Sequence, residues 1–450
     1  MKLRTVTELP IGMRSLFANL ELSSSISTHI LLEREMSVSI SKLASTYIQL
    51  EETLNSLSLA DNYKKVSQLK ESLFGVRDIR NTLNALMEGK IPDDIELFEI
   101  KNLALLSDSL IPVIRIFSDS FPKLPDLSDV VTILDPEGQR IPSFYIYDSY
   151  DSELSKLRKK LKSLEFFDED LHSRCSLIED RIRKELGNSL KGRLPDLVKA
   201  LNNLAEIDII IAKAELVRKW NLTIPAISKE RTSYQGLFNP EISSALSLQG
   251  LEYQPVDVSL ERESPVVLMG ANMGGKSVTL RTLALSQYMF QFGFGVPARS
   301  AEIVPVHFIH YLSGDYQDVN KGLSSFAAEM RKIDNLLKQS TETASILALL
   351  DEPARTTNPY EGRVLVESLI TMLKSRKLLT LIASHYNVTA KGCFKLRVRG
   401  FVNGKMNYEL IHTEDSDAPR EAINIAKSLG IDSEWLEEAS RLLDNYKETI

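Results

Sequence analysis

The stretch GANMGGKSVTL, residues 270–280, constrains the fold of this 450-residue chain more than any other. The apolar run PVVLM before it is typical of a short strand, and SVTLRTLALSQYMF after it has the spacing of a helix. Glycines in such a loop permit backbone conformations that direct several N–H groups at one phosphate, and the helix start adds positive potential. The alternative is a glycine-rich turn that binds nothing. Strand, loop and helix stand in the order that a phosphate-binding loop requires, so we favour the P-loop.

The side chains of this loop predict ATP and Mg²⁺ as ligands. Lys276 is placed to reach the β- and γ-phosphates, and the Ser277 hydroxyl is placed to bind Mg²⁺. The residues of the loop that we expect to contact the nucleotide are Gly270, Asn272, Met273, Gly274, Gly275, Lys276, Ser277 and Val278.

Two further apolar runs end in residues that suit phosphoryl transfer. ILALLDE ends in Asp351, a candidate Mg²⁺ ligand, and Glu352, a candidate for orienting and polarising the attacking water. LLTLIASH ends in His385, which either senses the γ-phosphate or is a packing or capping histidine. Short buried strands that end in polar residues are typical of an α/β sheet with its site at the strand ends.

The part of the chain before residue 229 is predicted to be mainly helical. Apolar residues recur at spacings of three and four between Ile30 and about Ser120. VVTILDPEGQRIPSFYIYDSY then has two β-rich runs around Pro-Glu-Gly, which predict a strand–turn–strand.

Helical periodicity returns in two stripes, Leu154 to Leu186 and Leu197 to Ile211, on either side of the turn-like GNSLKGRLP. We therefore expect two long antiparallel helices. The predicted domains are a helical core at 1–150, a helical hairpin at 151–228 and an α/β P-loop NTPase domain at 229–450.

The composition limits the cellular compartment and the classes of binding partner that we expect. The only two cysteines, Cys175 and Cys393, lie far apart, which excludes a disulfide framework and a cysteine-built zinc site and fits the cytoplasm. We find no signal peptide and no apolar run long enough for a membrane span. The net charge of −7 argues mildly against a protein whose main task is gripping a phosphate backbone. The basic run KLRKKLK could touch nucleic acid, but a solvated helix face is the favoured alternative.

These motifs together resemble the MutS family of ATPases. The segments that carry the resemblance are GANMGGKS, GDYQDVNKGLSSFAAEM, DEPARTTNPYEG and IASHY. It implies a MutS/ABC-type ATPase head with a mostly parallel sheet, preceded by an all-α core and lever helices whose ends resemble DSYDSELSKLR and LNNLAEIDIIIAKAE. It also implies that Ser324 reaches across a homodimer to the partner's γ-phosphate, and that Tyr253 lies against the adenine. REAINIAKSLGID, residues 420–432, resembles the family's C-terminal helix-turn-helix dimerisation segment.

The sequence also departs from the family pattern. We expect the mismatch-reading domains to be missing, no nuclease-like tail, and the DNA clamp to be absent between the lever helices. Leu323 stands where the family often has arginine, Ala354 and Thr356 replace glycines, and Pro353 gives the Asp-Glu-Pro of ABC-type ATPases. These changes bear on interface geometry and on hydrolysis rate rather than on a phosphate ligand.

The resemblance implies a dimeric switch in which ATP closes two heads and hydrolysis reopens them. The sequence leaves three alternatives for what this switch acts on. The first is a protein partner, as for the KamC-like ATPase subunits of factors that reactivate cobalamin-dependent aminomutases. The second is DNA, through a residual basic surface, and the third is a scaffold that binds ATP and hardly hydrolyses it. The net charge and the expected lack of a clamp favour the first over the second. Lys276, Asp351 and Glu352 argue against the third.

Overall fold

The computed structural model describes residues 1–164, 167–270, 274–313, 325–402, 405–414, 423, 426–427 and 430–447. The chain divides into two compact units. The sheet unit comprises Met1–Asn19, Glu35–Tyr47 and Leu216–Ile450, and the helical unit comprises Leu20–Arg34 and Ile48–Glu215. The predicted domain boundaries at residues 150 and 228 stay predictions.

The first eleven α-helices precede the first strand. In chain order they are α1 Leu3–Thr7, α2 Met13–Ala18, α3 Ser25–Glu33, α4 Ile40–Ser58, α5 Tyr63–Leu73, α6 Arg80–Met87, α7 Asp94–Ile114, α8 Ser128–Leu134, α9 Ser152–Ser163, α10 Glu169–Lys191 and α11 Leu194–Trp220.

Helix α7 illustrates how the sequence builds the helical unit. Asp93 and Glu96 form a reciprocal capping box at its start. Its apolar residues then recur at helical spacing, and among them Leu97, Ile100 and Leu110 are fully buried. A capped start followed by an apolar stripe of this kind is stabilised mainly by packing of that stripe.

The predicted strand–turn–strand near residue 136 is wrong. VVTIL lies in helix α8, where Val130, Val131 and Leu134 are buried, and residues 135–150 contain no strand. Helix α8 packs against α7. Burial against a helix has overridden the strand preference of the β-branched residues, a preference that depends strongly on context.

The single long helix predicted from Leu154 to Leu186 is also wrong. Helix α9 ends at Ser163, and α10 begins after Asp168, whose side chain accepts a hydrogen bond from the Leu171 amide. The two helices pack on each other. The expected turn over GNSLKGRLP is confined to residues 192 and 193, because α10 continues to Lys191.

A buried charged cluster ties α7 to the segment that follows α8. The Lys101 ammonium, 0% exposed, donates a hydrogen bond to the Tyr147 hydroxyl at 2.8 Å and lies 3.3 Å from the Asp135 carboxylate. The Tyr147 hydroxyl lies 3.3 Å from the same carboxylate oxygen. Burial opposes ionisation of Asp135, but hydrogen bonds from the Arg140 amide and from Lys101 hold its pKa below the ordinary value.

The sheet unit contains ten strands and five further helices among the described residues. The strands are β1 Ala226–Ile227, β2 Arg231–Leu237, β3 Val256–Glu261, β4 Val266–Met269, β5 Ser300–Ile303, β6 Phe308–Leu312, β7 Ile346–Asp351, β8 Leu379–Ser384, β9 Phe394–Val402 and β10 Lys405–His412. The helices are α12 Pro240–Leu248, α13 Lys276–Gln291, α14 Ser325–Glu342, α15 Pro359–Ser375 and α16 Ser433–Lys447.

The larger sheet has the order β10-β9-β4-β8-β7-β6, and a smaller sheet has the order β1-β5-β2-β3. In the larger sheet β9, β4, β8, β7 and β6 are parallel and only β10 is antiparallel, as predicted. Every residue of β4, β7 and β8 is buried, which is characteristic of a parallel sheet covered on both faces. These three are the strands predicted from PVVLM, SILALLD and LLTLIASH.

Candidate nucleotide site

The carboxyl ends of β4, β8 and β7 bring the predicted site residues to one edge of the sheet. Met269, the last residue of β4, pairs with Ser384, the last residue of β8. Asp351, the last residue of β7, pairs with Ala383 of β8. Gly270, which follows β4, is therefore next to His385, which follows β8, and both are close to the end of β7.

The backbone at the P-loop needs glycine. Gly270 has φ +147° and Gly275 has φ +76°, conformations that L side chains rarely adopt. A Cβ at Gly275 would also lie 3.2 Å from the Tyr408 ring, and one at Gly270 would lie 3.4 Å from Val398. Helix α13 begins directly after Gly275, so its first amide groups face the loop.

Lys276 is the first residue of α13, and its side chain is only 4% exposed. Its ammonium donates a hydrogen bond to the Gly270 carbonyl at 2.6 Å and lies 3.4 Å from the Glu352 carboxylate. The cation is thus directed across the loop toward the end of β7. A point charge in this place suits the oxygens of a bound polyphosphate.

The helix that carries this lysine is buried on nearly all sides. Two of its polar side chains are hydrogen-bonded inside the protein: the Gln287 side-chain amide donates to the Val304 carbonyl, and that of Gln291 donates to the Ser37 and Val306 carbonyls. The loop therefore leads into a buried helix that these hydrogen bonds tie to its neighbours.

Asp351 and Glu352 lie where β7 ends. The Asp351 side chain is almost buried, at 8% exposed. The Glu352 amide donates to the Ala383 carbonyl at 2.9 Å, and its carboxylate also pairs with Arg355 at 3.1 Å. Glu352 itself has φ +49°, a left-handed conformation that costs about 1–2 kcal/mol for a residue other than glycine. Strain of this kind at a charged residue is typical of functional sites.

His385 follows β8 and is exposed, with its ring 4.0 Å from that of Tyr386. Local desolvation lowers the pKa of His385; the Glu352 carboxylate raises it, and Arg355 and Lys276 lower it. These charges reach the imidazole, so the structure brings His385 into the electrostatic field of Lys276 and Glu352. The neutral imidazole is the form favoured at neutral pH.

The remaining predicted ligands divide into three groups. Ser277 is exposed at the start of α13, and Val278 is half-buried beside it. Tyr253 is half-buried; burial raises the pKa of its hydroxyl, which the neighbouring Asn239 backbone and Thr282 side chain lower. Its contact with adenine stays a prediction. Asn272, Met273 and Ser324 lie outside the described residues.

Sequence reasoning missed several residues that contact the site. Arg355 pairs with Glu352, and the Tyr408 ring packs against Gly275. Glu329 accepts a hydrogen bond from the Ala354 amide, and Tyr386 donates one to the Ala354 carbonyl. The one available signal was at Ala354, where the resemblance expects glycine, because its φ of +60° is a glycine-like conformation.

The residues present fit a magnesium–nucleotide complex. The buried carboxylate of Asp351 and the exposed hydroxyl of Ser277 are oxygen ligands of the type that Mg²⁺ prefers. The structure holds no cluster of three His, Cys, Asp or Glu residues that could bind a metal, within the part of the chain that it describes. Mg²⁺ usually completes its octahedral shell with water and substrate phosphates, so a two-ligand protein site suits it.

The comparison with known families agrees with this geometry. Residues 266–416 match the family model of MutS domain V. MutS domain V is a P-loop ATPase domain, and proteins that carry it bind and hydrolyse ATP and use Mg²⁺. The match begins at the first residue of β4 and supports MutS-family membership.

None of the described helices combines the length and the apolarity needed to cross a membrane.

Proposed function

We propose that this protein is a MutS-like ATPase that hydrolyses ATP to ADP and phosphate and uses the cycle as a switch. One observation carries the proposal: the Lys276 ammonium lies between the Gly270 carbonyl of the P-loop and the Glu352 carboxylate at the end of β7. A phosphate-binding cation and a candidate base therefore face the same space. The match to MutS domain V supports the same activity.

Each residue has a stated part in this chemistry. The P-loop amides and Lys276 bind the phosphates, and Glu352 orients and polarises the attacking water. Ser277 and Asp351 would hold Mg²⁺, which supplies charge neutralisation on the β- and γ-phosphate oxygens. His385, close to the charges of Lys276 and Glu352, is suited to respond to the γ-phosphate.

The test is a paired measurement of MgATP binding and hydrolysis. Lys276→Ala should lose binding, because it removes the buried cation of the loop. Lys338→Ala is the matched control, since Lys338 is an exposed lysine of α14 that pairs only with Asp334 among the described ion pairs. Equal binding by Lys276→Ala and wild type would contradict the assignment.

We further propose that the ATPase acts as a homodimer through its heads, with Ser324 of each chain serving the other chain's site. The proposal rests on the resemblance of GLSSFAAEM to the MutS loop, since Ser324 lies outside the described residues. The partner that the switch remodels is proposed to be a protein, for example a cobalamin-dependent aminomutase or its reactivating subunit. We place the protein in the cytoplasm, consistent with the two free cysteines.

The helical unit supports a protein partner over DNA. Arg158, in the basic run KLRKKLK, pairs with Asp148 at 2.7 Å and with Glu179 at 2.8 Å. Three other arginines, all on α10, also pair with carboxylates: Arg174 with Glu153, Arg181 with Asp151 and Arg183 with Asp94. With these arginines paired, exposed lysines are the main cations that the run KLRKKLK offers to a phosphate backbone. Such lysines suit only weak phosphate contact.

A direct test uses a purified aminomutase inactivated by turnover. ATP-dependent recovery of its activity with wild-type protein, but not with Lys276→Ala, is the expected result. A DNA-binding ATPase of repair or recombination type is the alternative, and a failure to restore any such enzyme combined with salt-resistant DNA binding would favour it.

A further inference from the structure

The turn that follows Glu352 is unusual in its backbone. Ala354 has φ +60°, so two of three successive residues, Glu352 and Ala354, are left-handed without being glycine. Pro353 lies between them and has its own φ fixed by the pyrrolidine ring. Such a turn persists only where its surroundings hold it in place.

Two side chains from different elements hold Ala354. Its amide donates to the Glu329 carboxylate at 3.2 Å, and its carbonyl accepts from the Tyr386 hydroxyl at 2.7 Å. Ala354 is 1% exposed, so water is largely excluded from it. A buried peptide group that loses its partner has no replacement at hand.

The surroundings leave little room for another arrangement. A Cβ added to Gly362 on α15 would collide with the Tyr386 hydroxyl and lie 3.0 Å from the Ala354 carbonyl oxygen. Tyr386 is itself 7% exposed and belongs to the apolar core of the sheet unit. The turn is therefore fixed by Glu329 of α14, by Tyr386, the second residue after β8, and by the close approach of α15.

We propose that Glu329 is a positioning residue for Glu352: it anchors the left-handed turn at Ala354 and thereby keeps the Glu352 carboxylate directed at Lys276. Tyr386 is the second anchor of the same turn. The inference rests on the proposed ATPase function, because Glu352 matters only if it acts on the attacking water. Burial raises the pKa of Glu329, while the Ala354 amide and Lys332 lower it, and either protonation state offers an oxygen acceptor to the amide.

The anchoring role requires an acceptor oxygen at position 329, and it does not require that the side chain be charged. Glu329→Gln should therefore keep most of the turnover rate, whereas Glu329→Ala should lower kcat about 10- to 100-fold, as expected when a reacting group is displaced by about 1 Å. The Kd for a fluorescent ATP analogue with Mg²⁺ should stay within about twofold in both, because no phosphate ligand is changed. Glu342→Ala, an exposed glutamate at the end of the same helix, is the matched control.

Hydrogen–deuterium exchange of the Ala354 amide tests the anchor without turnover. The amide should be protected in wild type, less protected in Glu329→Ala, and unchanged in Glu342→Ala. If Glu329→Ala does not fold, Tyr386→Phe carries the test, since it removes only the hydroxyl that donates to the Ala354 carbonyl.

Several outcomes would overturn the inference. These are equal Ala354 protection in wild type and Glu329→Ala, an unchanged kcat in Glu329→Ala, or a Glu329→Gln protein as slow as Glu329→Ala. Loss of ATP binding together with turnover would indicate general damage and also count against it. If wild-type protein does not hydrolyse ATP, the proposed function fails and the exchange measurement alone decides whether Glu329 anchors the turn.

Discussion

The Lys276 ammonium lies 3.4 Å from the Glu352 carboxylate, although the strands that lead to them are not neighbours in the sheet. Strand β8 lies between β4 and β7, and the Lys276–Glu352 ion pair spans the carboxyl end of β8. Glu352 also pairs with Arg355, so one carboxylate faces two cations. This arrangement holds the Glu352 carboxylate toward the loop, as its proposed role requires.

Glu352→Gln should separate binding from hydrolysis. The amide keeps nearly the same shape and leaves Lys276, Ser277 and Asp351 in place, so MgATP should bind with a Kd close to that of wild type. Turnover should fall at least 100-fold, because general-base catalysis typically contributes a factor of 10²–10⁴. The measurement is steady-state phosphate release beside a binding titration. Wild-type turnover in Glu352→Gln would show that another group activates the water.

The buried cation of the helical unit predicts a large effect on stability. Lys101→Ala leaves the Asp135 carboxylate and the Tyr147 hydroxyl without their cationic partner in a buried place. Removing one member of a buried ion pair typically costs about 3–5 kcal/mol. The midpoint of urea unfolding followed by circular dichroism should therefore fall clearly. Lys159→Ala, an exposed lysine on α9, should leave the midpoint nearly unchanged; equal midpoints for both variants would contradict the prediction.

The same cluster predicts a pH dependence. Because the folded pKa of Asp135 lies below its ordinary value, the unfolded chain takes up the proton first as pH falls below about 3.9. The stability contributed by this carboxylate is therefore present above about pH 3.9 and is lost as pH falls through the folded pKa. Asp135→Asn lacks this contribution, so the difference in urea midpoint between wild type and variant should be large at pH 7 and narrow toward pH 3. A difference that does not change with pH would show that the carboxylate is not ionised in the folded protein.

The proposal that Ser324 acts in trans predicts that two inactive proteins restore each other's ATPase activity. A heterodimer of Lys276→Ala and Ser324→Ala chains contains one wholly intact site if Ser324 acts in trans. Mixing should then recover part of the ATPase activity that each variant lacks alone, whereas mixing either variant with itself should not. A protein that stays monomeric with and without ATP would contradict this prediction.

The strands that carry the candidate nucleotide site were well predicted from the sequence, and the helical unit was predicted less well. The strands β4, β7 and β8 were predictable because a fully apolar run that ends in a polar motif has few alternative structures. The run VVTIL does not follow this rule: Val130 and Val131 are buried in a helix that packs on α7, a tertiary contact that no local pattern reveals. The break between α9 and α10 was hidden for a similar reason, because the apolar stripe continues through it in sequence although α9 ends at Ser163 and packs on α10.

The anchors of the Glu352 turn could not be predicted at all. Glu329 lies in α14 and Tyr386 lies after β8, far apart in sequence, and both bond to Ala354. A single sequence shows that alanine occupies a position where the resemblance expects glycine. It does not show what stabilises the backbone that this alanine then has to adopt.

The mode of DNA binding distinguishes a protein partner from DNA as the object of the switch. A mismatch reader needs a wedge that unstacks a base step and profits from easily kinked DNA. The segment between residues 153 and 204, where the family inserts its clamp, consists of α9, α10 and the start of α11 in the part that is described. Binding should then depend on exposed lysines such as Lys159, Lys160 and Lys162, which contact phosphates without reading sequence.

Such binding should be weak and sensitive to salt, with a Kd of about 10⁻⁴–10⁻⁶ M at physiological ionic strength. We expect little preference for a mismatched over a matched duplex, and loss of most binding between low and physiological salt. The measurement is a fluorescence titration of both duplexes at the two salt concentrations, with and without ATP. Replacing the three lysines with glutamine should abolish the low-salt binding and leave ATP hydrolysis unchanged, because none of them is part of the nucleotide site. A mismatch preference that survives physiological salt would refute the protein-partner proposal, because scattered lysines on a helix face cannot discriminate one base pair from another.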